Sequence, residues 1–175
     1  RSNSRSHVRC NPQSQERLMR DLILLRHAHA EPPAPGQADA QRPLSAVGLA
    51  EAAAAGQWLR EHGLSPSRVL CSPAVRASQT LAALGTLGCE DVREDASIYE
   101  AHPGTLAALA DTHRDADRLL IVGHNPGLEQ LAALLHSGQT GDYRGMPPCG
   151  IAVLTLPAEA AIEPGVAQLS HFWWP

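Results

Sequence analysis

Short apolar runs alternate with helix-length segments along most of this chain, and this alternation constrains the fold more than any other feature. Buried strands are predicted at 22–25, 68–72 and 117–124, within 91–100, and at 150–156 and 166–174. Helices are predicted at 45–63, 72–88, 103–113 and 125–138. This order is typical of an α/β domain, a three-layer sandwich whose mostly parallel sheet carries helices on both faces. The last two strands have no helix between them, which predicts one antiparallel edge strand.

Local signals mark where the helices begin and end. Ser45, Ser72 and Asn125 are predicted N-caps, and a proline at the first helical position follows the last two of them. Gly63 is predicted to stop the first helix. The segment 31–43 contains four prolines and a glycine, so it is predicted to be a loop.

The charge of the chain is divided unevenly along its length. The chain has no Lys; residues 1–20 hold five Arg and one Glu, whereas 21–175 hold nine Arg and 17 acidic residues. An acidic body argues against a nucleic-acid partner, because phosphate backbones require a basic surface. Any Arg that gathers in a site of such a body stands out from its surroundings.

The first residues differ from the rest and are assigned to a separate segment. Residues 1–18 are polar, with no apolar stretch for a signal peptide, and are predicted to be a disordered extension or a remnant of cloning. Residues 19–175 are then one domain of ordinary size. No apolar run is long enough to span a membrane, and the four cysteines form no C-x-x-C pair, so a cytoplasmic location is expected.

Arginines and histidines follow three of the predicted strands at their carboxyl ends. Arg26 and His27 end the first strand, Arg76 lies shortly after the second, and His124 ends the strand at 117–124. Ligands of open α/β sheets bind at this edge, so the four side chains are expected to line one site.

The composition of this edge suits a phosphoryl group. Arg presents a rigid fork of donors to phosphate oxygens, helix N-termini favour anions, and a His can take up a phosphoryl group covalently. A P-loop NTPase is excluded because the chain has no Lys. A cysteine-based tyrosine phosphatase loop needs a longer spacing than the four residues between Cys71 and Arg76, and Cys71 lies within a predicted strand.

With these residues in place, the chain resembles the histidine phosphatase superfamily, and within it the SixA-like phosphohistidine phosphatases. The matching segments run in family order over 20–156: "LILLRHAHA", "RPLSAVGLAEA", "VLCSPAVRASQTL", "LLIVGHNPGLEQLA" and "MPPCGIAVLTL". Ala28 stands where most of the superfamily has glycine, and small Ala at this place is common in the SixA-like branch.

The resemblance implies a role for each matched residue. His27 is expected to be the nucleophile, while Arg26, Arg76 and His124 bind the phosphoryl oxygens and stabilise the transferring charge. Asn125 is expected to support phosphate binding. Glu100, in the loosely aligned segment "IYEAHPG", is a candidate general acid. Neither a metal nor another cofactor is expected.

Several alternatives remain open at this stage. The favoured substrate is phosphohistidine on a protein, such as a phosphotransfer domain, and the second candidate is a small phosphate ester. The pocket could instead bind phosphate without turnover. His27 and His29 form an H-x-H pair that could bind a metal, although His29 is expected at the rim with a minor role. A monomer or a weak dimer is expected.

Overall fold

The computed structural model describes residues 17–141 and 145–175. Its strands are β1 (Met19–Arg26), β2 (Arg68–Cys71), β3 (Val92–Glu94), β4 (Arg118–Gly123), β5 (Ile151–Pro157) and β6 (Gln168–Trp173). Its helices are α1 (Ala46–Glu61), α2 (Val75–Ala83), α3 (Pro103–Thr112) and α4 (Gly127–Ser137), and short 3₁₀ helices span Asp39–Gln41 and Ala96–Ile98.

All six strands belong to one mixed sheet with the order β3-β2-β4-β1-β5-β6. The strands β3, β2, β4 and β1 are parallel, whereas β5 pairs antiparallel with both β1 and β6. The predicted fold class is therefore confirmed, including the antiparallel pairing at one edge. β4 lies between β2 and β1, and β1 lies between β4 and β5, so both strands are central. Their carboxyl ends therefore lie in the middle of one edge of the sheet.

Each face of the sheet is covered by its own apolar cluster. On β1, Ile23 and Leu25 face the cluster that includes α1 and α2, whereas Leu22 and Leu24 face the cluster that includes α3 and α4. Successive side chains of a strand point to opposite faces, so a strand buried on both sides must be apolar at every position. The continuous run "LILL" is therefore the consequence of a central strand in a three-layer sandwich.

The start of α1 is held against the loop that follows β1. Ser45 is the N-cap, as predicted, and its Oγ accepts a hydrogen bond from the Gly48 backbone N–H. The Ser45 backbone N–H donates to the carbonyl oxygen of His29 at 3.0 Å. A Cβ at Gly48 would collide with that same carbonyl oxygen, so this close approach requires glycine. α1 ends at Glu61 and is followed by Gly63 with a φ of 63°, which confirms the predicted stop.

The other two predicted caps are wrong. α2 begins at Val75 with Ala74 as its N-cap, and α4 begins at Gly127 with Pro126 as its N-cap, so both helices start later than predicted. The Ser72 hydroxyl instead contacts His124, and the Asn125 amide donates to Glu129 and to the Met146 carbonyl oxygen. A capping preference is a local tendency, and a tertiary hydrogen bond overrides it here.

At the amino end, the side chain of Arg17, a residue of the predicted extension, contacts the segment that precedes β4. Its guanidinium donates to the Asp117 carboxylate at 2.6 Å and to the Arg114 carbonyl oxygen. Residues 1–16 of the predicted extension lie outside the described residues. Within 17–141 and 145–175, no helix has the length and apolar character needed to cross a membrane.

Candidate active site

The four predicted site residues meet at the carboxyl edge of the sheet. The central strands lie in the order β2-β4-β1, and Arg26 is paired in register with Gly123, the residue before His124. The rings of His27 and His124 are 5.3 Å apart between centroids. Arg76, in the first turn of α2, and Arg26 both act electrostatically on His27. Three separate strand ends thus supply one cluster, as the sequence predicted.

The hydrogen bonding of His27 leaves one ring nitrogen available for chemistry. Its Nδ1 lies 2.7 Å from the carbonyl oxygen of Ala28. A carbonyl oxygen can only accept, so Nδ1 carries the proton in the neutral ring and Nε2 holds the lone pair. The buried N–H of Ala28 donates in turn to Thr80 Oγ1 at 3.0 Å, which fixes the loop beside the ring. This is the tautomer that a nucleophilic imidazole requires.

His124 is oriented by a hydroxyl that the sequence had assigned to a helix cap. Its Nε2 lies 2.7 Å from Ser72 Oγ, and Ser72 is fully buried. The same Oγ accepts a hydrogen bond from the Ala74 N–H, and among the described residues His124 Nε2 is the one partner left for the hydroxyl proton. His124 Nδ1 then carries the ring proton, and this buried atom has no hydrogen-bond partner among the described residues.

Each site arginine is held in place at one end of its guanidinium. Arg76 donates from Nη1 to the Asp39 carbonyl oxygen at 2.8 Å and from Nη2 to Asp39 Oδ2 at 2.9 Å. Arg26 donates from Nη1 to the Met146 carbonyl oxygen at 2.8 Å. The Nε atoms of both arginines are buried and unpartnered among the described residues.

Unpartnered buried donors of this kind indicate a site for an anion. A buried N–H without a partner costs free energy, so such groups are normally satisfied by protein, water or ligand. Here Arg26 Nε, Arg76 Nε and His124 Nδ1 all lack a hydrogen-bond partner within 17–141 and 145–175. A phosphoryl group with three oxygens is an acceptor that suits them together.

Glu100 and Asn125 line a small cavity beside His124. This cavity has a volume of about 170 Å³, and its lining also includes Ala101, His102 and Gln130. Glu100 is exposed and has a left-handed backbone with φ of 54°, a conformation unusual for a residue other than glycine. Both amide hydrogens of Asn125 are engaged, by Glu129 Oε2 and by the Met146 carbonyl oxygen, whereas its buried Oδ1 has no partner in the part of the chain that the structure describes. The Asn125 side chain therefore presents an acceptor and has no hydrogen left to donate to a phosphate.

The His29 side chain contacts the start of α1 and is not part of the cluster formed by the four predicted site residues. Its Nδ1 lies 2.7 Å from Ser45 Oγ, and its backbone N–H donates to the Glu51 carboxylate. The side chain is exposed, as expected for a residue at the rim. Across 17–141 and 145–175, no three His, Cys, Asp or Glu side chains lie close enough together to bind a metal. His27 and His29 therefore have no third ligand of these types among the described residues.

Cys71 has the wrong environment for a nucleophilic thiolate. It lies at the end of β2, and burial raises the pKa of its thiol to about 12. A thiol with this pKa is protonated at neutral pH, and the thiolate is the reactive form. The cysteine-based alternative thus fails on chemistry as well as on spacing.

We expect His27 to stay neutral far below the usual titration range of histidine. Burial, together with the charges of Arg76 and Arg26, lowers its pKa from 6.5 to about 4, against the hydrogen bond to Ala28, which raises it. Burial also lowers the pKa of His124 to about 3, with His27 and Arg76 adding to the effect. The Nε2 lone pair of His27 is therefore present above about pH 4 and is lost as the pH falls through that value.

Histidine side-chain NMR of the free protein measures this titration directly. The expected spectrum shows His27 as the Nδ1–H tautomer at every pH above about 5, since its pKa is lowered to about 4. A His27 ring that gains its second proton near its ordinary value of 6.5 would contradict the environment described here. The His27→Ala variant identifies the resonance.

Comparison with known proteins gives the class of this site. The sequence model of the histidine phosphatase superfamily (branch 1) matches residues 22–116. The chain belongs to the histidine phosphatase superfamily, in agreement with the resemblance drawn from its motifs.

Individual relatives narrow the class to the SixA-like branch. An uncharacterized protein of Mycobacterium tuberculosis (strain H37Rv) is 39% identical over 162 residues, covering 86% of this chain and 99% of the relative. Phosphohistidine phosphatase SixA of Escherichia coli K12 is 31% identical over 126 residues, covering 68% of this chain and 76% of that protein. The structure of a candidate phosphohistidine phosphatase SixA from Nakamurella multipartitia has a TM-score of 0.78 at 31% identity and covers 90% of this chain and 96% of its own.

Three residues of the site were not found from the sequence. They are Ser72 in its contact with His124, Asp39 in its contacts with Arg76, and Tyr99, whose hydroxyl donates to Asp39 at 2.6 Å. A signal existed for Ser72, because it follows β2 directly and β2 is the neighbour of β4. For Asp39 and Tyr99 the sequence offers no signal, since both lie in irregular segments far from Arg76 along the chain.

Proposed function

We propose that this protein is a phosphatase that transfers the phosphoryl group of a protein phosphohistidine to His27 and then to water. The observation that carries the proposal is that the His27 Nε2 lone pair lies in a cluster with three buried donors that have no partner among the described residues, Arg26 Nε, Arg76 Nε and His124 Nδ1. One group supplies the nucleophile and the others stabilise the charge on the transferring phosphoryl oxygens. The donors supply electrostatic stabilisation without a metal.

The reaction proceeds in two displacements at phosphorus. In the first, the His27 Nε2 lone pair forms a bond to phosphorus, the bond between phosphorus and the substrate nitrogen breaks with its electron pair going to that nitrogen, and the leaving imidazole takes up a proton from solvent. In the second, water attacks phosphorus, the phosphorus–Nε2 bond breaks with its electron pair returning to Nε2, and inorganic phosphate leaves with the oxygen of that water, whose proton passes to solvent. Throughout, Nδ1–H donates to the Ala28 carbonyl oxygen, which keeps the ring oriented.

The surroundings of the site favour an imidazole as the leaving group. A cavity of about 170 Å³ adjoins the proposed phosphoryl site at His124. Its polar lining includes the unpartnered Oδ1 of Asn125 and the carboxylate of Glu100, which accept hydrogen bonds or repel anions. A ring with an N–H suits such a lining better than a sugar phosphate or a phosphoglycerate, which carry further acceptors or negative charge. The phosphatases of the SixA branch among its relatives support the same substrate class.

Glu100 is assigned the role of general acid for substrates that need one. An alkoxide leaving group requires a proton at the moment of bond cleavage, whereas an imidazole is a much better leaving group. Glu100 lines the cavity next to His124 and is exposed to solvent. Its removal should therefore affect phosphate esters more than phosphohistidine.

A panel of substrates with three forms of the protein tests the proposal. The wild type, His27→Ala and Glu100→Gln are assayed on a histidine-phosphorylated phosphotransfer domain and on small phosphate esters, with and without EDTA. We expect wild-type kcat/KM on the phosphorylated domain to exceed that on every ester by about tenfold or more. Glu100→Gln should reduce ester turnover by about tenfold to a hundredfold and leave phosphohistidine turnover within a few-fold of wild type.

Three results of this panel would redirect the assignment. An ester turned over faster than the phosphorylated domain would make the second candidate, a small-molecule phosphatase of the same superfamily, the function. Loss of activity in EDTA would contradict direct transfer to His27 and favour a metal hydrolase. A chain that binds phosphate without turning over any substrate would be the non-catalytic module.

A further inference from the structure

Asp39 lies outside the family motifs, yet it contacts several residues at the site. It lies in a 3₁₀ helix of the proline-rich loop, and its side chain is 49% exposed. Its carboxylate accepts from Arg76 Nη2 at 2.9 Å, from the Tyr99 hydroxyl at 2.6 Å and from Arg42 Nη1 at 3.0 Å. Its carbonyl oxygen accepts from Arg76 Nη1 at 2.8 Å. One loop residue thus ties together three segments that surround the site.

The edge of the guanidinium that Asp39 occupies decides what remains for a ligand. Both contacts use the end-on edge of Arg76, formed by Nη1 and Nη2. The side-on edge contains Nε, which is buried and unpartnered among the described residues. A guanidinium has five N–H donors in a rigid plane, so an anion can bind at the side-on edge while the end-on edge stays paired.

We propose that Asp39 is a positioning residue, which fixes the plane of the Arg76 guanidinium so that its Nε edge faces the phosphoryl group. The proposal rests on the proposed phosphatase function, since it concerns the same phosphoryl site. It adds a residue that no motif identifies, on a loop that the sequence treats only as a connection.

Tyr99 completes the arrangement and couples it to His124. Its hydroxyl donates to Asp39, its ring lies 5.9 Å from the Arg76 Cζ, and the same ring meets the His124 ring edge-on at 5.5 Å. The Arg76 guanidinium is therefore restrained by hydrogen bonds along its end-on edge and by the Tyr99 ring, over which its Cζ lies. A misplaced catalytic group loses much of its effect, so such restraint is of direct use in transfer of a phosphoryl group.

Two other roles for Asp39 fit the geometry less well. A general acid must hold a proton, but hydrogen bonds from Tyr99, Arg42 and Arg76 hold the pKa of the Asp39 carboxyl far below its usual range. An inhibitory plug would have to occupy the donors that the phosphoryl group needs. Asp39 instead leaves the Nε edge of Arg76 unpartnered and is itself retained by Arg42 and Tyr99.

A double-mutant cycle on Asp39 and Arg76 tests the proposal. The wild type, Asp39→Ala, Arg76→Ala and the double variant are assayed for kcat/KM on p-nitrophenyl phosphate. If Asp39 acts through Arg76, Asp39→Ala should lower kcat/KM by about tenfold to a hundredfold in the wild-type background and by less than about threefold in the Arg76→Ala background. Equal losses in both backgrounds would mean that Asp39 only maintains the loop, and would overturn the proposal.

Three further measurements separate the remaining outcomes. Gln41→Ala alters an exposed side chain of the same 3₁₀ helix and should keep wild-type activity. Asp39→Asn keeps one acceptor for Arg76 and should fall between the wild type and Asp39→Ala. Orthovanadate binding by calorimetry should weaken in Asp39→Ala; tighter binding or a gain in activity would identify Asp39 as a plug and refute positioning.

A negative result in this cycle can be distinguished from a failure of the proposed phosphatase function. The cycle uses an ester, so a preference for esters over phosphohistidine changes the assigned substrate and leaves the cycle readable. Vanadate binding requires no turnover, so it reports on Arg76 even in a variant that has lost activity. An unaltered kcat/KM and vanadate affinity in Asp39→Ala would reject the positioning role while leaving the nucleophilic role of His27 untouched.

Discussion

Replacement of His27 by Ala should reduce turnover of every phosphorylated substrate by about 10⁴-fold or more, because the covalent route disappears with its nucleophile. Arg26, Arg76 and His124 would still bind phosphate in this variant, since none of them depends on the His27 ring for a hydrogen bond. Orthovanadate affinity should therefore fall much less than kcat. Steady-state kinetics and calorimetry on the same preparation measure the two effects.

His29→Ala is the matched control for this prediction. The two histidines are separated by Ala28 alone, but the His29 ring contacts Ser45 at the start of α1 and is exposed. Its loss should leave kcat within about twofold and lower the stability of α1 by at most about 1 kcal/mol, as for other contacts near an N-cap. A His27→Ala variant with near-wild-type turnover, or an inactive but folded His29→Ala, would contradict the separation of the two histidines.

The second large effect is expected at Arg76. Its side chain is 8% exposed, and its Nε is one of the unpartnered donors of the site. Arg76→Ala should lower kcat/KM by about 10²–10³-fold, the range found for removal of a single donor to a developing anion. The same variant removes the Nε donor that is expected to bind the anion, so vanadate affinity should fall with kcat/KM.

The choice of replacement separates charge from geometry. Arg76→Lys keeps the charge but lacks the planar fork that pairs with Asp39 and the phosphoryl group at once, so it should recover only a small part of the loss. Arg93→Ala is a matched control, because Arg93 is half exposed and pairs with Asp91 at the surface. Full activity in Arg76→Lys would show that a point charge is sufficient and would contradict the fork.

The fold and the core of the site could be predicted from the sequence for a definite physical reason. Strands buried on both faces must be apolar throughout, which makes β1, β2 and β4 visible as runs. Parallel strands also end at one edge, so the polar residues that follow them, Arg26, His27 and His124, are brought together whatever the loops do. The errors in the predicted helix starts at Ser72 and Asn125 concern only the first turns of α2 and α4. They do not alter the strand ends, so the predicted position of the site is unchanged.

The residues that orient the site were not predictable by the same reasoning. Ser72 has a sequence context that favours capping, yet its hydroxyl bonds to His124, which lies 52 residues further along the chain. Asp39 contacts Arg76 and Tyr99 across separations of 37 and 60 residues, from a loop with no periodic pattern. Such contacts depend on how loops pack over the sheet edge. Local propensity and strand order carry no information about that packing.

The central claim is that the phosphoryl group resides on His27 during turnover, and trapping this intermediate tests it most directly. The wild type is mixed with a phosphohistidine substrate, quenched at alkaline pH to preserve phosphorus–nitrogen bonds, digested, and mapped by mass spectrometry. The expected result is an acid-labile phosphoryl group on the peptide that contains His27, at Nε2, absent from His27→Ala. Turnover with the label on another residue, or with no label under conditions where the second step is limiting, would contradict the account.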